Sequence, residues 1–190
     1  MSIGAGPSGL VHQLIDVNGG WRHNYFLTIK SNSSTNVTVS VGGASRTFTL
    51  SGGVWASDQH EGETLTQSGT FYILTTKDGT QVTYDTSLVG NYYGATLAIG
   101  TKIQDPDGKI TTLTYKSTSY QKQIKSGFFV TINVLRLQSV NASTGYQLKF
   151  WYAVDSIADE TEADSWIRIA AVKASTTPSS IATLRRMAVR

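Results

Sequence analysis

Asp58, His60, Glu61 and Glu63 crowd one short run, Asp58-Gln59-His60-Glu61-Gly62-Glu63, the densest local group of ligating and acid–base side chains in the chain. Carboxylates suit a hard cation such as Ca²⁺ or Mg²⁺, but the run lacks the EF-hand spacing. A solvated loop between two strands is the favoured reading. Asp58, His60 and Glu61 are also where a β-rich hydrolase would first be sought, His12 and His23 being the other histidines. Gly4-Ala5-Gly6-Pro7-Ser8-Gly9 spells G-x-G-x-x-G. A dinucleotide site needs a strand before that motif and a helix opening within it; only three residues precede it here, so a glycine turn is expected. No G-x-S-x-G elbow supports a nucleophilic serine. The acidic run 155–164, with Asp155, Asp159, Glu160, Glu162 and Asp164, reads as a solvated loop or short surface helix. The expectation is therefore no catalytic, cofactor-binding or metal-binding residue, and no cofactor.

Aromatic side chains offer a different chemistry. Trp21, Trp55, Tyr92 and Tyr93 are candidates for a sugar-stacking platform, with Trp151 and Trp166 completing the tryptophans. Rings in half-buried sheets are also good packing units, and packing is the favoured reading. Asn32, Asn36 and Asn141 sit in N-x-[ST] sequons, which arise readily in a Ser/Thr-rich chain.

The elements that must carry these residues are strands. The 190 residues fit one domain or a fragment of a larger array. Net charge is +3, and the positive residues are scattered until Arg185, Arg186 and Arg190, so no nucleic-acid face is expected. With no cysteine, disulfides, thiolate metal sites and cysteine nucleophiles are excluded. The first ten residues do not read as a signal peptide, and no apolar run has the length of a membrane span. Turn signals recur roughly every 8–12 residues, as in an all-β protein. Strands are expected over 21–29, 36–41, 46–50, 54–55, 71–75 and 127–137, with polar turns at 32–34 and 57–64 and a tyrosine-rich turn at 90–94. Val37, Val39 and Val41 share one face, and Phe48 and Leu50 point inward.

One unit recurs. Asp78-Gly79 leads to Tyr84, Asp107-Gly108 to Tyr115, and Thr144-Gly145 to Tyr152. Glycine accepts the positive φ of a tight turn, and a strand with period-2 apolar positions follows it. In the last unit alternation sets Leu148, Phe150 and Tyr152 against Gln147, Lys149 and Trp151.

These units carry a resemblance. The opening Ile3-Gly4-Ala5-Gly6-Pro7, the element Gly20-Trp21-Arg22-His23-Asn24-Tyr25, the stretch from Thr75 to Tyr84-Asp85, the run from Ile103 to Tyr115 and the segment from Leu137 to Tyr152 are together similar to the Rhs/YD-repeat family of bacterial proteins. The resemblance implies a long β-sheet that spirals into a hollow shell around a C-terminal toxin. It implies structural roles for the turn glycines Gly79, Gly108 and Gly145 and the tyrosines Tyr84, Tyr115 and Tyr152. The family's cleavage segment and toxin domain have no counterpart in this sequence, so self-cleavage and toxin activity are assigned to no residue.

The expectation is an all-β chain of antiparallel hairpins in a twisted, repeat-like sheet over 1–175, with a tail over 176–190 that is helical or frayed. Its expected role is non-catalytic: a structural segment of an Rhs/YD shell or cell-surface protein, outside the cell or at its surface, exported with a larger protein or by a dedicated system. Further YD repeats or a downstream toxin segment are the expected partners, and open sheet edges invite self-association. The alternatives are a carbohydrate-binding module and a β-rich hydrolase.

Overall fold

Alternating sequence and glycine turns produce a meander of twelve antiparallel strands in a computed structural model that describes residues 25–59, 62–89, 96–158, 160–162, 165–166 and 168–176. The strands are β1 (Leu27–Ser33), β2 (Asn36–Val41), β3 (Ala44–Ser51), β4 (Val54–Ser57), β5 (Thr64–Ser68), β6 (Phe71–Thr75), β7 (Gln81–Asp85) and β8 (Thr96–Gln104). They continue through β9 (Ile110–Lys125), β10 (Phe128–Ala142), β11 (Tyr146–Tyr152) and β12 (Ile169–Thr176). Each strand pairs with its neighbour in sequence.

The expected open, twisted sheet is corrected in one respect: the first eight strands close into a barrel. β1 pairs with β8 through Thr28↔Ile99, Ile29↔Ala98 and Lys30↔Thr96. Closure uses up the edges that β1 and β8 would otherwise leave exposed. β8 then forks, because its far end, Lys102 to Gln104, pairs with Thr112 to Ile110 of β9. A forked strand lets one continuous meander close a barrel and still run on into a four-stranded extension.

The barrel interior is filled by side chains, as the size of an eight-stranded barrel requires. Ile29, Val37, Val39, Phe48, Leu65, Leu74, Val82, Tyr84 and Ala98 are buried in one cluster. One row of it follows the ladders from Leu50↔Trp55 through Trp55↔Leu65, Leu65↔Leu74 and Leu74↔Val82 to Val82↔Ile103. A second cluster of Phe26, Val89, Ile99 and Leu135 fastens the β9–β10 ribbon to the outside of the barrel. A third, of Tyr120, Ile132, Val134 and Trp166, covers the ribbon's other face. The side chains alternate as expected on β2, where Val37 and Val39 are buried, and on β3, where Phe48 is buried.

Several boundaries move. β1 starts at Leu27 and runs through Asn32, so the turn falls at Ser34-Thr35. β9 does not stop at Tyr115 but continues to Lys125. Its second half, Lys116 to Lys125, is largely polar, because the barrel covers only part of the ribbon and hydrophobic alternation fades where nothing needs covering. Among its described residues the acidic run is loop with one 3-10 turn at Glu160–Glu162, and the Asp155 side chain is 92% exposed. The opening glycine motif and the 177–190 tail lie outside the described residues, as do Trp21, His12, His23, His60, Glu61, Tyr92 and Tyr93.

Candidate functional site

The recurring unit has a shared geometry. The amides of Gly79, Gly108 and Gly145 each donate to the carbonyl three residues back, on Thr76, Asp105 and Ala142, at 2.9 Å in every case. The three glycines have φ of 88°, 85° and 91°, a left-handed conformation costly for any residue with a Cβ. In the first two turns the aspartate accepts from the amide two residues on: Thr80 to Asp78 Oδ1 at 3.2 Å, and Lys109 to Asp107 Oδ1 at 3.1 Å. The Thr76 hydroxyl bond, followed by the Thr80 amide, holds the Asp78 carboxyl below the usual carboxylate range. Lys109 does the same to Asp107.

The tyrosines at the far ends are anchors. The Tyr115 hydroxyl donates to the Gly100 carbonyl of the preceding strand at 2.8 Å. The Tyr152 hydroxyl donates to the Leu137 carbonyl, again on the preceding strand and again fifteen residues back. Tyr84 reaches further, from β7 to the Ser40 carbonyl of β2 at 3.2 Å. Burial pushes all three hydroxyls well above the ordinary tyrosine range. At Tyr84 the Arg46 charge opposes that shift, and at Tyr152 the Arg136 charge opposes it.

Sequence reasoning placed Glu63 among candidate ligands in a polar loop. The fold buries it instead: its side chain is 3% exposed, and Glu63 Oε1 lies 2.5 Å from Arg46 Nε. Arg46 pairs across the ladder with Val39, so it points into the barrel. The contact is one of charge rather than an aligned hydrogen bond, and Glu63 Oε2 has no hydrogen-bond partner. Asp58 goes elsewhere; it stays exposed and accepts from the Thr49 hydroxyl at 3.1 Å. The ligand run is thus divided between the barrel interior and the surface. Among the described residues no group of three or more His, Asp or Glu could hold a metal ion.

Trp55 is half-buried against the barrel core. Its ring meets Tyr72 edge-on, with centroids 6.3 Å apart and planes at 65°. It lines a pocket with Leu50, Val54, Leu65, Thr66 and Gln67. Trp151 is 45% exposed on the face that alternation assigned it, and Trp166 is fully buried. The described tryptophans therefore lie in separate surroundings rather than on one platform.

Two features were missed in the sequence. The first is Arg136, buried on β10 between two rings, with its guanidinium carbon 4.3 Å from the centroids of both Tyr152 and Trp166. Its nitrogens donate to the carbonyls of Val154 at 2.7 Å and Trp166 at 2.8 Å, and to Asp155 Oδ1 at 3.0 Å. This clamp ties the loop after β11 back onto the ribbon. A lone arginine among apolar neighbours on a strand, Val134-Leu135-Arg136-Leu137, was the available signal.

The second is where the sheet's last edge lies: open edges are expected, but no strand is read from the sequence over 169–176. β12 pairs with β11 from Tyr146↔Thr176 to Tyr152↔Ile169, and among the described residues its other side meets no strand. Val172 lies opposite Phe150, and Ala174 opposite Leu148, whose rows pack on the barrel core. Val172 is nevertheless 51% exposed, and every β12 residue after Ile169 is exposed. The core-facing row thus runs past its cover at a strand edge that meets no partner strand among the described residues, and this edge is the candidate functional site. Comparison with known proteins finds no family model, no curated protein and no solved structure that matches this chain.

Proposed function

We propose that the chain is a non-catalytic scaffold segment, a barrel that starts a longer β-meander and passes it on at β12. The observation that carries this reading is the β12 edge, which meets no further strand among the described residues and where the exposed Val172 extends the row of Phe150. An edge of this kind is a template for another strand. The repeated turn-to-tyrosine unit supports the same role. Each unit adds a strand, and in two of them the terminal hydroxyl fastens that strand to the one before it. In the setting that the resemblance implies, the segment belongs to an Rhs/YD-type shell or cell-surface protein, and further YD strands or a toxin-bearing segment follow it.

The test is hydrogen exchange on the whole chain across a range of protein concentrations, beside its sedimentation behaviour. The reading expects amides of 169–176 to gain protection as copies pair edge to edge. It also expects Val172→Lys, which charges the exposed row, to abolish that protection while the barrel amides stay unchanged. Turnover of a polysaccharide or ester panel that disappears in His60→Ala would overturn it.

A further inference from the structure

The far end of the β9–β10 ribbon has no place in the scaffold reading. β9 bonds to β8 only through residues 110–112, and β10 bonds to β11 only through residues 139–141. The third core cluster covers the ribbon as far as the Tyr120–Ile132 pair, with Val130 packed at its margin. From Tyr120 to Lys125 the ribbon continues for roughly 15 Å at the rise of a strand. There, around the turn Ser126-Gly127, the chain exposes Ile124 at 57%, Phe128 at 67% and Phe129 at 59%. Soluble surfaces scatter single apolar residues, but three large ones gathered on one tip mark an interaction site.

Charge narrows the partner. From Lys109 through Val154 the sequence holds no Asp or Glu, while it carries Lys109, Lys116, Lys122, Lys125, Arg136 and Lys149. Lys122 and Lys125 flank the apolar tip directly. A narrow two-stranded tip with three apolar side chains offers little of the extended, shape-matched surface, roughly 600 Å² or more on each partner, that a specific protein interface buries. A fluid bilayer makes no such demand for shape, rewards apolar groups that enter its interface, and attracts lysines to anionic headgroups.

We propose that the β9–β10 tip is a membrane-docking element, in which Ile124, Phe128 and Phe129 enter the interface of an anionic bilayer and Lys125 sits at the headgroups. The site is distinct from the β12 edge, and its failure would leave the scaffold reading untouched.

The experiment is co-sedimentation of the whole chain with phosphatidylcholine vesicles, with and without phosphatidylglycerol. Binding is expected to the anionic vesicles and to weaken with added salt. Lys125→Glu is expected to reduce it by roughly tenfold or more, since each basic group near such a surface contributes about a fivefold step and the reversal replaces an attracted charge with a repelled one. Phe128→Ser/Phe129→Ser is expected to abolish it, with an unchanged circular dichroism spectrum showing that the variant folds. Because the chain has no cysteine, Ser126→Cys carries a single environment-sensitive dye. Its emission is expected to shift blue only when anionic vesicles are present. No binding by the wild type, binding that survives the double substitution, an unshifted dye, or a dimer that the tip substitutions dissociate would each overturn the proposal.

Discussion

Gly100 and Leu27 meet so closely where β8 closes on β1 that a Cβ built on Gly100 would lie 2.3 Å from the Leu27 Cβ and 2.7 Å from its Cδ1. The same glycine supplies the carbonyl that anchors Tyr115. Barrel closure and the start of the extension therefore depend on one residue without a side chain.

Gly100→Ala should destabilise the protein by about 1–3 kcal/mol, the usual cost of overpacking a filled core. Leu27 is 1% exposed and has no open space to move into. Urea unfolding measures the loss, and Gly100→Ala/Leu27→Ala should not restore wild-type stability, because the truncation itself removes buried methyls. A fully stable single variant would mean that β8 does not approach β1 this closely.

The pH dependence follows from the buried hydroxyls. Tyr84, Tyr115 and Tyr152 are raised above their ordinary value of 10.0 by burial, so the folded protein keeps protons that the unfolded chain releases. Their contribution to stability is complete below about pH 10 and is lost as pH climbs from there toward the raised folded values. For fully buried Tyr84 alone the loss is about 1.4 kcal/mol per pH unit above that threshold. Denaturant midpoints measured at rising pH should show this decline, with the tyrosinate absorbance of these residues emerging only on unfolding. Tyr84→Phe should flatten the decline.

The ion pair inside the barrel should behave asymmetrically. Glu63→Leu alone leaves Arg46 charged and facing the core, and should cost about 3 kcal/mol. Arg46→Met alone strands a carboxylate that is 3% exposed, with a loss of similar size. The double substitution should recover most of either loss, because apolar side chains need no compensating charge. A double variant as unstable as the sum of the singles would show that the two charges do not interact.

Much of the local structure was legible in the sequence. The glycines of the recurring unit take the turn conformation that Asp-Gly and Thr-Gly suggested, and Leu148 and Phe150 pack against the core while Lys149 and Trp151 are exposed. Other placements escaped it. Glu63 stands beside His60 and Glu61 in the chain, yet its partner Arg46 lies on a strand two places earlier. Arg136 is set against Tyr152 and Trp166, which no spacing rule joins to it.

The all-β class, the antiparallel hairpins and the alternating faces can be read from short stretches of residues, since turn conformation and side-chain direction are settled within a few consecutive positions. The assembled sheet alone settles that β1 closes on β8, that β8 forks at Gly100, that Glu63 enters the barrel and that β12, among the described residues, pairs on one side only. The physical reason is that a strand's backbone bonds with any strand in register. Which partner it takes depends on shape, stagger and the edges left free by all the others, and those are properties of the assembled sheet rather than of any segment.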